Sequence, residues 1–175
     1  EYGELARQIE NTRKLPTGFA VLSLGDPLMT NEQDAQVCAK ALIQSSPELD
    51  ENEALLFMAH GTKHPSNKLY QDLAQKLNEL DQNTHLGCLS GEPSLERIIA
   101  QLKADGINKV YLQPFLTTVG NHTLKDMAGD EPESWKNVLK AQGFEVETIL
   151  KGLAECQPVL DIWLRRLAEA VAELD

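Results

Sequence analysis

Ala54-Leu55-Leu56-Phe57-Met58-Ala59-His60-Gly61-Thr62-Lys63 joins an unbroken apolar run to a polar turn. A short apolar run with a turn at its end is the pattern of a strand buried on both faces, as in a parallel sheet. Gly61 lets the backbone reverse sharply, so His60 is expected to project from the sheet edge. Further strands are expected over Gly18 to Leu24, His85 to Leu89, Lys109 to Gln113 and Phe144 to Leu150.

Helical spacing of apolar residues fills the intervals. An opening helix is expected over Glu1 to Arg13, and a second over Asn31 to Ile43 with Thr30 and Gln33 at capping positions. Ser66 to Leu80 carries Leu69, Leu73, Leu77 and Leu80 on one face, with Ser66 as N-cap. Ser94 to Lys103 and Asp130 to Gln142 follow, the latter capped by Asp130 and Glu133 and stopped by Gly143; Trp135 on its apolar face is read as core. A closing helix, Pro158 to Leu174, turns Ile162, Trp163, Leu167 and Val171 inward. Alternating strands and helices predict an α/β fold, a parallel sheet flanked by helices on both faces.

Composition narrows the function. A net charge of −11 over 175 residues leaves no basic stripe to replace phosphate counterions, which excludes a nucleic-acid partner. No apolar run reaches the length of a membrane span. Cys38, Cys88 and Cys156 are odd in number and widely spaced, as buried thiols are, with no disulfide framework or thiolate zinc site. The start at Glu1-Tyr2-Gly3 reads as an internal point of a longer chain. The expected compartment is the cytoplasm, or the periplasm if a signal peptide precedes this segment; a homo-oligomer is compatible with the composition.

In an open parallel sheet the ligand sits beyond the carboxyl ends of the strands. The loops there hold His60-Gly61-Thr62-Lys63-His64, Ser90-Gly91-Glu92-Pro93, and Pro114 to His122. Two neutral imidazoles, with or without a carboxylate, suit Co²⁺, Fe²⁺, Ni²⁺ or Zn²⁺. An imidazole also serves as a general base near neutral pH. His85 belongs to the opposite end of the sheet, and the acidic run Asp126 to Glu133 reads as capping and solvated surface. Residue chemistry alone thus reaches a metal or acid–base site.

Several motifs together resemble the anaerobic cobaltochelatase family, CbiK. They are His60-Gly61-Thr62-Lys63-His64-Pro65-Ser66-Asn67, Leu112 to Leu116 with Val119-Gly120-Asn121-His122, Lys125 to Glu131, and Ser134-Trp135-Lys136. The resemblance implies a chelatase-like two-lobed fold with this chain forming the C-terminal lobe and the N-terminal lobe largely missing. Residues 1–30 would then be a remnant of the first lobe and the crossover, 31–157 the second lobe, and 158–175 its closing helix. It also implies ATP-independent insertion of Co²⁺, or Fe²⁺, into sirohydrochlorin for cobalamin or sirohaem synthesis, with no nucleotide.

On the family pattern His60 is a metal ligand and the base that removes pyrrole protons, and His122 is the second ligand. The family's third ligand, a glutamate, aligns with Ser90; the nearby carboxylate is Glu92, taken as its replacement, with water as the alternative. Lys63, Lys68 and Lys125 would supply cations to a polycarboxylate substrate. Two competing readings are a metal or tetrapyrrole carrier without turnover, and a zinc hydrolase using His60 and His64.

Overall fold

The computed structural model describes residues 2–16, 19 and 21–174. Its centre is a four-stranded parallel sheet formed by β1 (Glu53–Gly61), β2 (Thr84–Ser90), β3 (Lys109–Phe115) and β4 (Glu145–Thr148), in the order β2-β1-β3-β4. Among the described residues six α-helices accompany it: α1 (Tyr2–Arg13), α2 (Glu32–Gln44), α3 (Lys68–Leu80), α4 (Leu95–Ala104), α5 (Trp135–Ala141) and α6 (Gln157–Ala172). Among the described residues no helix is long and apolar enough to cross a membrane.

The apolar run of β1 is divided between two cores because successive side chains point to opposite faces. Leu55, Phe57 and Ala59 pack with Ala35, Cys38, Ala39 and Leu42 of α2, Leu73 and Leu77 of α3, and Val159 and Ile162 of α6. Ala54, Leu56 and Met58 pack with Leu95, Ile98 and Leu102 of α4 and with Trp135 and Leu139 of α5. Each core side chain of β1 is at most 1% exposed. Both faces are therefore covered, which is why the strand carries no polar alternation.

The chain steps from β1 outward to β2, then returns across β1 to β3 and continues to β4. A constant right-handed crossover forces α3 onto one face and α4 and α5 onto the other. The reversal between β1 and β3 opens a crevice at the carboxyl ends of these two adjacent strands. They run in register from Glu53↔Lys109 to Ala59↔Phe115.

Several local expectations are corrected. Of the strand expected over residues 18–24, positions 18 and 20 lie outside the described residues, and 21–24 form no strand; Val21 is 53% exposed, so this segment has no buried surface to hold it flat in a sheet. The N-cap of α2 is Asn31, whose side chain accepts from the Asp34 N–H, rather than the Thr30 and Gln33 pair. Pro65–Asn67 form a 3-10 turn ahead of α3, and His64 caps it in place of Ser66. Ser134, not Asp130, caps α5. Only the first half of α6 is buried: Leu167 is 59% and Val171 50% exposed, because the helix carries its apolar stripe beyond the core formed with α2. Trp135, at 5% exposure, is core as expected.

Candidate functional site at the β1–β3 crevice

His60 is the penultimate residue of β1, where the buried pattern of the strand gives way to an exposed position. Gly61 follows with φ of 66° and pairs with Ser90 of β2. A Cβ at Gly61 would stand 2.0 Å from the Ser90 carbonyl oxygen and 2.6 Å from Cys88 Cβ. The rim of β1 can approach β2 this closely only without a side chain. His60 Nδ1 lies 3.3 Å from the Gly61 carbonyl oxygen, and Nε2 has no hydrogen bond among the described residues.

His122 opens a π-helical turn, His122–Met127, that follows the polar loop after β3. Such wide turns are rare and are frequently found at functional sites. Thr123 and Met127 are buried and anchor the turn, while Leu124 remains 54% exposed on its outer side. The ring centroids of His60 and His122 are 5.0 Å apart, with planes inclined at 69°. An imidazole binds a first-row divalent ion at about 2.1 Å, which sets its centroid about 3.2 Å from the ion. Two such rings lie about 5.2 Å apart around a tetrahedral ion, and about 4.5 Å apart at a right angle. The observed separation falls between these values.

The loop after β2 does not bring Glu92 into that pair. One Glu92 carboxylate oxygen accepts from the Ser94 N–H at 3.1 Å, holding the side chain along its own loop. Among the described residues no three His, Cys, Asp or Glu side chains gather as a metal-holding group. The structure thus joins His60 to His122 and leaves Glu92 apart. Ser90 ends β2 opposite Gly61.

Asn67 fixes the first two loops to one another. Its buried amide accepts from Thr62 N–H at 3.1 Å and donates to the Glu92 carbonyl at 2.6 Å. Gly91, with φ of 93°, passes so close that a Cβ would meet Asn67 Oδ1 at 2.7 Å. Beneath this junction, burial and the Glu92 charge push the Cys88 thiol up to about 12, so it stays protonated and serves packing.

His64 is turned to a structural task. Its Nδ1 accepts from the Ser66 N–H at 3.1 Å, completing the cap of the 3-10 turn. His85 is 4% exposed near the start of β2, at the opposite end of the sheet. Of the three lysines, Lys68 is held by Asp72 at 2.6 Å, while Lys63 and Lys125 are exposed and enter no ion pair among the described residues. One group was missed by sequence reasoning. Asp126 Oδ2 lies 2.5 Å from His122 Nδ1, a contact signalled by the four-residue spacing once 122–127 is seen to wind.

The chain is thus a parallel α/β protein with two adjacent imidazoles at the carboxyl ends of β1 and β3. Similarity narrows that class. The chain belongs to the cobalt chelatase (CbiK) family, whose sequence model matches residues 1–172. It is 39% identical over 176 residues to the sirohydrochlorin cobaltochelatase CbiKC of Nitratidesulfovibrio vulgaris, covering 100% of this chain and 62% of that protein. It is 29% identical over 171 residues to the sirohydrochlorin cobaltochelatase of Salmonella typhimurium, covering 98% of this chain and 64% of that one. The chain therefore spans somewhat less than two thirds of the length of these relatives. A solved Deinococcus radiodurans multi-domain protein, described as structurally similar to chelatases, aligns with TM-score 0.48 and 21% identity over 78% of this chain and 29% of that one.

Proposed function

We propose that this chain carries the metal-handling side of a sirohydrochlorin cobaltochelatase, with Co²⁺ as substrate metal and His60 and His122 as its ligands. The observation that carries this reading is the 5.0 Å separation of two imidazoles at the crevice between β1 and β3. Family membership supports the tetrapyrrole substrate, as both relatives are named for it.

In this reading the ion first rests on the Nε2 atoms of His60 and His122, with water completing its shell. The macrocycle then lies over the rim, its carboxylates met by Lys63 and Lys125 against an otherwise acidic protein. Co²⁺ passes from imidazole to the four pyrrole nitrogens as two N–H protons leave. His60 takes at least one of them, for its ring is released from the metal as the proton becomes available. Two protein ligands hold the ion loosely enough to let it go, whereas a closed four-ligand site would retain it.

Fe²⁺ is the alternative metal, with sirohaem rather than cobalamin as the end product, and the cytoplasm is the proposed compartment. Glu92 serves as third ligand only if its loop releases the Ser94 contact when metal binds. The isolation of Glu92 favours one second reading, a metal or tetrapyrrole carrier that does not turn over. Steady-state metallation of sirohydrochlorin with Co²⁺ decides between them: multiple turnovers that vanish in His60→Ala support the chelatase. Stoichiometric binding without turnover favours the carrier.

A further inference from the structure

Asp126 caps no helix; its half-exposed carboxylate is turned to His122. Its Oδ2 sits 2.5 Å from His122 Nδ1, on the next winding of the π-helical turn, with the two side chains 44% and 49% exposed. A neutral imidazole has one donor nitrogen and one acceptor nitrogen, and an unpartnered ring populates both tautomers. A carboxylate accepts only, so at this distance it selects the tautomer with hydrogen on Nδ1. The lone pair then lies on Nε2, the atom left for an ion.

We infer that Asp126 is a positioning residue for metal transfer: it fixes the tautomer and ring orientation of His122 so that Nε2 is presented to the ion shared with His60. The inference rests on the reading of His60 and His122 as metal ligands. Among the described residues His60 has no carboxylate partner; its Nδ1 meets the neutral Gly61 carbonyl oxygen at 3.3 Å. The two ligands are consequently unequal. His122 is held by a charged acceptor at 2.5 Å, and His60 by a longer contact to a neutral carbonyl, so His60 is the more easily turned of the two. Carboxylate partners of this kind fix the rings of metal-binding histidines generally, and their loss weakens metal affinity about 10–100-fold.

The test uses the full chain and Co²⁺ alone, with no tetrapyrrole. Calorimetric titration is compared for the unaltered protein, Asp126→Ala, Asp126→Asn and His122→Ala, and ¹⁵N spectra at mildly alkaline pH report the His122 tautomer without metal. The expected result is hydrogen on Nδ1 in the unaltered protein, a mixed tautomer in Asp126→Ala, and affinity about 10–100-fold weaker there. Asp126→Asn can turn its amide N–H toward Nδ1 and drive the hydrogen to Nε2, so affinity should fall wherever the tautomer changes. Hydrogen on Nε2 in the unaltered protein, full affinity in Asp126→Ala, or an affinity in Asp126→Asn that does not follow its tautomer would overturn the assignment while leaving the two ligands in place. Unchanged affinity in His122→Ala would instead remove the ligand reading, and this inference with it. Should Asp126→Ala fail to fold, the tautomer in the unaltered protein and the affinity of Asp126→Asn still decide.

Discussion

Asn67 donates its side-chain amide to the Glu92 carbonyl oxygen at 2.6 Å, tying the loop that follows β1 to the loop that follows β2. The same side chain accepts from Thr62 N–H, so one buried residue satisfies two backbone groups on separate loops. Asn67→Ala leaves both without their partner in a part-buried junction. A loss of about 1–3 kcal/mol in folding stability is expected, at about 0.5–1.5 kcal/mol for each lost bond. Urea unfolding measures it; a loss below about 0.5 kcal/mol would mean that water replaces the amide without cost.

Gly61→Ala is expected to be costlier for the site than for composition. The left-handed backbone at φ of 66° disfavours any side chain, and the added carbon would lie 2.0 Å from the Ser90 carbonyl oxygen. The left-handed conformation alone costs about 1–2 kcal/mol, and overpacking adds about 1–3. Relief of the clash must move the rim of β1, and His60 with it. Both a lowered urea midpoint and weaker Co²⁺ binding are expected; unaltered binding at lowered stability would show that the rim is not what places His60.

Much of the fold was legible because strands buried on both faces leave uninterrupted apolar runs. Residues 54–59 announced themselves in this way, and Gly61 and Gly143 marked turns that the structure contains. The rule that ligands gather at carboxyl ends then selected the loops carrying His60 and His122, which the structure places side by side. What the sequence hid depends on three-dimensional detail. Glu92 stands in the right loop, but its carboxylate is claimed by the Ser94 N–H, a bond that spacing does not disclose. Asp126 looked like one acid among several until the π-helical winding set it against His122. The outward half of α6 was misread because Leu167 and Val171 continue the helical period after the core has ended.

His85 should impose a pH dependence on stability. Burial lowers its pKa, partly opposed by the negative charges of Asp105 and Asp81, and its buried Nε2 has no hydrogen-bond partner among the described residues. The ordinary histidine value, about 6.5, applies to the unfolded chain. Because the folded value is lower, the unfolded chain binds more protons once the pH falls below about 6.5. The contribution is complete above that pH and is lost as the pH descends through the folded value. Replacing the side chain by an apolar one, His85→Leu, should flatten this part of the stability profile in denaturant titrations. A slope equal to that of the unaltered protein would contradict the assignment.

The central claim concerns one ion shared by two rings, and a crystal of the Co²⁺-loaded protein tests it directly. Anomalous scattering at the cobalt edge should place a single ion about 2.1 Å from Nε2 of both His60 and His122. An ion bound through His64, or through either ring without the other, would contradict the account.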